Sequence, residues 1–315
     1  MMNLLAVNFH YFREEKYQGG IYPVSKIELK KQIDEIAKSY RFIAQNEVID
    51  LLKNKQQSNK NYCVITIDDG LKEQMQAFDF LNEMGVPSIL YVPTYPLQHK
   101  KVLDVHKLHY VRTKMNDNDL YDLLNEEYQI DQIKFDNAAL ANQYRYDSVL
   151  SRKVKYFLNF SLSPAQKEKA IDFFFSKLVE DEQDFAHKLY MNDADLIKLA
   201  KADSLGSHGE NHLPLATLTP QKAALEITNA TQYLESITHK KITSFSYPYG
   251  GKDAVNDSIP KLFDATDIEF AFTMWRGLND EHDFQNQPYL LKRIDTNDAP
   301  GGKNNSLEYS LSKHD

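Results

Sequence analysis

The chain has 315 residues, 42% of them hydrophobic and 26% charged, enough for one large α/β domain or two smaller ones and too apolar for wholesale disorder. The formal net charge of -8 argues against a nucleic-acid binder, which would carry a basic stripe, and no apolar run reaches the roughly 18 residues of a membrane span. A single cysteine, Cys63, excludes an intramolecular disulfide and reads as a small buried hydrophobe.

Leu4 to Phe9 reads as a first strand. The segment around it has neither a basic n-region nor a long apolar core, so it does not read as a signal peptide. The expected location is cytoplasmic, free or peripheral at the inner face of a membrane. Gly19 to Pro23 forms a turn, and Ser25 caps a helix running to about Tyr40. Another helix falls within Phe42 to Asn54, and Lys53 to Asn61 is a polar loop. A strand from Tyr62 to Ile67, a helix from about Lys72 to Met84 and a strand from Ser88 to Val92 make a βαβ unit with parallel strands.

From 98 to 189 the chain lacks glycine, is rich in charge and repeats apolar residues at helical spacing (Leu120, Leu123, Leu124; Phe173, Phe174, Leu178), which predicts a helical insertion. The α/β pattern resumes with a helix over Asp193 to Ala202 and the start of a segment at Leu205. Thr219-Pro220-Gln221 then opens a helix to about Ile237. Strands follow at Ile242 to Tyr247, Phe270 to Met274 and Leu290 to Ile294, and 301–315 is a polar tail. The expected domains are thus 1–97 with 190–300, interrupted by 98–189.

The strand Val64-Ile65-Thr66-Ile67 runs into Asp68-Asp69-Gly70. Two carboxylates at the end of a buried strand are costly unless something pairs with them. Neighbours on a strand point to opposite faces, so both acids reach one site only if the strand ends and the backbone turns, which Gly70 permits. A divalent metal would resolve the cost, with one carboxylate as ligand and the other left to move protons. Far downstream, Gly206-Ser207-His208-Gly209-Glu210-Asn211-His212-Leu213-Pro214 offers two imidazoles on what its glycines and proline mark as a loop.

These strings resemble the motifs of NodB-like polysaccharide deacetylases, carbohydrate esterase family four. Thr66-Ile67-Asp68-Asp69-Gly70 is similar to that family's Thr-Phe-Asp-Asp-Gly, and His208-Gly209-Glu210-Asn211-His212 to its His-Ser/Thr-x-x-His. Ser246-Tyr247-Pro248-Tyr249-Gly250 keeps the end of Arg-x-Pro-Tyr/Phe-Gly but has serine in place of the arginine. Leu290-Leu291-Lys292-Arg293-Ile294 resembles a late Leu-x-Arg-Ile segment, and Asn8-Phe9-His10 with Gly20-Ile21-Tyr22-Pro23 looks like the start of such domains.

The resemblance implies an α/β fold, a distorted parallel (β/α) barrel with its site at the C-terminal strand ends. It implies Asp69, His208 and His212 as metal ligands and Asp68 as general base. Zinc suits two imidazoles and a carboxylate, with manganese, cobalt or nickel as alternatives. Arg293 would fill the gap left by Ser246 by holding Asp68. Tyr249, with Pro248, would present a main-chain N–H to the oxyanion, and Trp275 would floor the sugar site. No late histidine segment is evident. His106 is the first choice as general acid, with His109 and His10 as alternatives and His282 and His314 in polar stretches. The implied reaction is metal-dependent hydrolytic deacetylation of an N-acetylated saccharide or sugar precursor in surface-polysaccharide biosynthesis. The alternatives are a catalytically silent carbohydrate-binding protein and a hydrolase of a non-acetyl C–N or ester bond.

Overall fold

The computed structural model describes residues 3–17, 19–53, 60–144 and 147–304. Most of the expected polar loop at 53–61, and the expected tail from 305 on with His314, lie outside the described residues. The chain forms two compact units, one of residues 1–14, 23–99 and 187–315 and the other of 15–22 and 100–186.

In the first unit the described residues form eight strands: β1 (Asn3–Phe9), β2 (Arg41–Phe42), β3 (Asn61–Asp68), β4 (Ser88–Val92), β5 (Leu205–Ser207), β6 (Ser244–Ser246), β7 (Phe270–Phe272) and β8 (Ile294–Asp295). They lie parallel in the order β7-β6-β5-β4-β3-β1-β8, with β2 beside the start of β3. A bridge between Phe272 and Leu291, just before β8, joins the two ends, so the sheet curls into a (β/α) barrel. The predicted strand over Leu290 to Ile294 shrinks to β8 because the Asn279 side chain takes the Lys292 N–H at 2.7 Å, interrupting the ladder. The helices cap as their sequences suggest: Ser25 makes a capping box with Glu28, and Thr219 caps Pro220–Thr238.

Strand parity divides the side chains into two layers. Leu5, Val7 and Phe9 of β1 and Cys63, Ile65 and Ile67 of β3 join the cluster shared with the surrounding helices. Leu4 and Ala6 of β1, with Tyr62 and Val64 of β3, face the other way, in the cluster with Ile89, Tyr91, Phe270 and Phe272 that fills the barrel. The next residues of that same parity, Asn8, Thr66 and Asp68, are polar and buried. The barrel interior is therefore apolar below and polar at the C-terminal ends.

The second unit is helical. Helices Asp104–Lys114, Asp117–Tyr128 and Val149–Tyr156 and a π-helical turn at Phe157–Ser161 bury Leu108, Val111, Leu120, Leu124, Val154, Phe157 and Leu158. Leu123, Phe173 and Leu178, at the same helical spacing, are exposed. Residues 15–22 belong to this unit, where Gly20, at φ +77°, lets the backbone approach the helix Asp104–Lys114; a Cβ there would come within 2.2 Å of the His109 carbonyl oxygen. No described helix is long and apolar enough to cross a membrane.

Gly206 on β5 leaves room for the Tyr91 ring: an added Cβ would lie 2.3 Å from Tyr91 Cε1 and 2.7 Å from Ser244 Oγ. Gly206→Ala should therefore destabilise the barrel by about 2–3 kcal/mol, as overpacking of a filled core does, measured by urea unfolding.

Candidate active site

β3 ends at Asp68, and the chain turns through Asp69 at φ +90° and Gly70 at φ +64°. The left-handed backbone at a non-glycine residue costs of order 1–3 kcal/mol and brings both carboxylates to one end of the barrel. Asp69 is anchored by its N–H to the Tyr91 carbonyl at 3.0 Å.

His208 follows β5, and its main-chain N–H donates to Val92 at 3.1 Å. Its Nδ1 lies 2.7 Å from the Ser246 carbonyl oxygen, which can only accept, so Nδ1 carries the proton and Nε2 a lone pair. That Nε2 is 3.6 Å from Asp69 Oδ1, and His212 Nε2 is 3.4 Å from the same oxygen. Burial pushes the His208 imidazole down to about 4, so at neutral pH its contact with Asp69 is not an ion pair. The ligand atoms of Asp69, His208 and His212 all lie within 4.8 Å of one another. A carboxylate oxygen facing an imidazole lone pair is repulsive until a cation sits between them. His212 Nδ1 is also buried without a hydrogen-bond partner among the described residues, so the protein leaves that ring's tautomer open. Two imidazoles and a carboxylate, all buried, fit a divalent ion of the zinc type.

Asp68 faces Arg293, which is 0% exposed. Nη1 donates to Asp68 Oδ1 at 2.9 Å and Nη2 to Oδ2 at 2.8 Å, a bidentate pair. The rest of the guanidinium is also satisfied, by the Thr273 carbonyl, Asn8 Oδ1, Thr66 Oγ1 and Ser246 Oγ. Ser246, where the resembled motif has arginine, accepts from Arg293 and donates to Asp68 Oδ2 at 3.1 Å. Asn8 Nδ2 donates to the same oxygen at 3.1 Å. Burial raises the Asp68 carboxyl, but the Arg293 charge and its hydrogen bonds more than reverse this and hold it below the usual carboxylate range.

Sequence reading did not single out Asn8 as part of this network. Its signal is a polar residue at the end of an apolar strand, paired in register with Thr66. Tyr249 sits at φ +62° with its ring 5.0 Å from that of His212, and Pro248 precedes it. Trp275, on the loop after β7, packs against the outer cluster, and its carbonyl accepts the Arg293 N–H at 3.0 Å. His10 directly follows β1, two residues after Asn8. His106 is placed in the second unit, buried on Asp104–Lys114 with its ring 6.4 Å from His109. His282 is exposed on a capping turn, where its N–H donates to Asp280.

Arg293→Met would strand the Asp68 charge in a buried layer and should destabilise the protein by about 3–5 kcal/mol in urea unfolding. The lowered His208 gives a second expectation. On acidification the unfolded chain binds this proton first, so the metal-free protein should lose stability as the pH falls from about 6.5 toward 4, and NMR should find the His208 ring neutral down to that point.

The model of the polysaccharide deacetylase family matches residues 161–271, a span that contains both histidines and the Ser246 to Gly250 segment but not the aspartate pair. No curated protein matches. Among solved structures, the Streptococcus pyogenes deacetylase PplD, in complex with acetate, is 14% identical over 98% of each chain at a TM-score of 0.59. IcaB from Ammonifex degensii is 13% identical, covering 93% of this chain and 91% of its own, at 0.55. A de-N-acetylase from Aggregatibacter actinomycetemcomitans is 11% identical, covering 93% and 95%, also at 0.55. At such identities the likeness is one of fold. Residues 161–271 thus match the polysaccharide deacetylase family model, and the fold of the whole chain is similar to that of solved deacetylases.

Proposed function

We propose that this chain is a metal-dependent hydrolase that removes the acetyl group from an N-acetylated saccharide. The observation that carries the reading is the convergence of Asp69, His208 and His212 on one point beside an Asp68 already locked to Arg293. Asp69, His208 and His212 would hold the ion, which when bound supplies Lewis acidity toward the attacking water and the acetyl carbonyl.

Asp68 acts as the base. Among the described residues Oδ2 accepts from Asn8, Ser246 and Arg293, whereas Oδ1 accepts from Arg293 Nη1 only, so Oδ1 keeps the lone pair that takes the water's proton. The lowered carboxyl is ionised at neutral pH and ready to accept. The Tyr249 main-chain N–H is the donor for the developing oxyanion, a contribution of roughly 3–4 kcal/mol for a well-placed group. The leaving nitrogen must gain a proton as its bond to the acetyl carbon breaks. His10 serves this step better than His106, because it directly follows β1 at the C-terminal end of the barrel, in the same unit as Asp68. Trp275 and Pro248 are the apolar surfaces for the sugar ring.

The test is acetate release from N-acetylated oligosaccharides by the purified full chain. Chelation should abolish release and zinc should restore it. Asp69→Ala and His212→Ala should be inactive. Asp68→Asn should be inactive yet still bind metal, and His10→Ala should lose about 10²–10⁴-fold in kcat. Zinc at 100 times its Kd should also stabilise the wild type by about 2.7 kcal/mol, read as a rise in Tm. Full acetate release after complete metal removal contradicts the reading. Release of an acid other than acetate, identified by mass, moves the substrate to a different acyl group.

A further inference from the structure

We infer that Glu226 is a positioning residue for the metal centre: its carboxylate, reaching in from the helix Pro220–Thr238, grips Asn211 and so sets the spacing of His208 and His212. The inference rests on the metal-site reading above and adds to it a device outside the ligand set.

The three residues between the two histidines are neither helix nor strand, and the loop passes through left-handed backbone at Gly209 (φ +77°) and His212 (φ +55°). Such a loop cannot be held by a repeating ladder of its own, so its polar groups must find partners elsewhere. On one side the Thr94 and Tyr95 N–H groups donate to the Gly209 and Glu210 carbonyls at 3.1 and 2.9 Å. On the other side stands Glu226. One of its oxygens accepts the Asn211 main-chain N–H at 2.8 Å and the other the Asn211 side-chain amide at 2.6 Å. One turn further along the same helix, Asn229 donates to Glu210 Oε2 at 2.9 Å.

Glu226 is 6% exposed and has no cationic partner among the described residues. Burying a carboxylate in that way is unfavourable, and a surface role would not require it. A carboxylate supplies two charge-assisted acceptors for the two donors of one residue; glutamine supplies one acceptor without the charge, and its N–H₂ is satisfied only if the Asn211 amide turns over. The residue so gripped immediately precedes His212. A small displacement there moves one imidazole relative to Asp69 and His208, and a ligand set tolerates little change in its distances.

The test is zinc affinity, measured on the metal-free full chain by competition with a chromophoric chelator, beside circular dichroism of the same samples. Glu226→Gln should raise the Kd for zinc at least tenfold with an unchanged spectrum. Asn211→Ala should raise it by a smaller factor, and the double variant should be no weaker than Glu226→Gln alone, because both substitutions break one contact. Wild-type Kd, within twofold, in both single variants overturns the inference. If Glu226→Gln does not fold, wild-type affinity in Asn211→Ala overturns it alone. Asp69→Ala separates the two levels. A wild type that binds no zinc, or an Asp69→Ala that binds it equally well, overturns the site reading itself.

Discussion

The ion pair between Asp68 and Arg293 governs how the C-terminal end of this barrel is built. A buried pair of charges is not by itself stabilising, since desolvation can exceed the attraction between them. Here the cost is offset by a shell of groups that satisfies nearly every donor and acceptor: Asn8, Thr66, Ser246 and the Thr273 carbonyl. The same shell fixes the carboxylate: among the described residues Oδ2 is bound by three donors and Oδ1 by one, the asymmetry on which the proposed role of Asp68 as base rests.

Two elements of the barrel make that layer possible. Strand parity carries Leu4, Ala6 and Asn8, and likewise Val64, Thr66 and Asp68, up the barrel interior, so the hydrophobic plug and the polar layer share the same strands. The closing segment before β8 then delivers Arg293 across the seam, braced by its N–H on the Trp275 carbonyl. Ser246 completes the arrangement. An arginine on β6 would have to enter the space that Arg293 already fills, and the small hydroxyl instead links the guanidinium to the carboxylate.

Much of this was legible in the sequence, for a physical reason. The acids and the two histidines fall in short strings, and the buried strands announce themselves as apolar runs. What stayed hidden is what depends on tertiary contact. Asn8 reads as an ordinary strand-end residue until β3 is laid beside it. Glu226 is one of many glutamates on amphipathic helices, and only its burial against Asn211 sets it apart. Residues 15–22 carry turn signals that say nothing of the helix they pack on. Leu123, Phe173 and Leu178 share helical spacing with buried neighbours yet are exposed, because periodicity locates an apolar face without saying how wide a stripe the partner covers.

The central claim is that Asp69, His208 and His212 hold one divalent cation. X-ray data collected on either side of the zinc absorption edge, from crystals grown with zinc, test it most directly. The account predicts one strong anomalous peak about 2.0–2.2 Å from an Asp69 oxygen and from both Nε2 atoms. Zinc in solution with no peak among these three side chains, or with its only peak elsewhere, would contradict it.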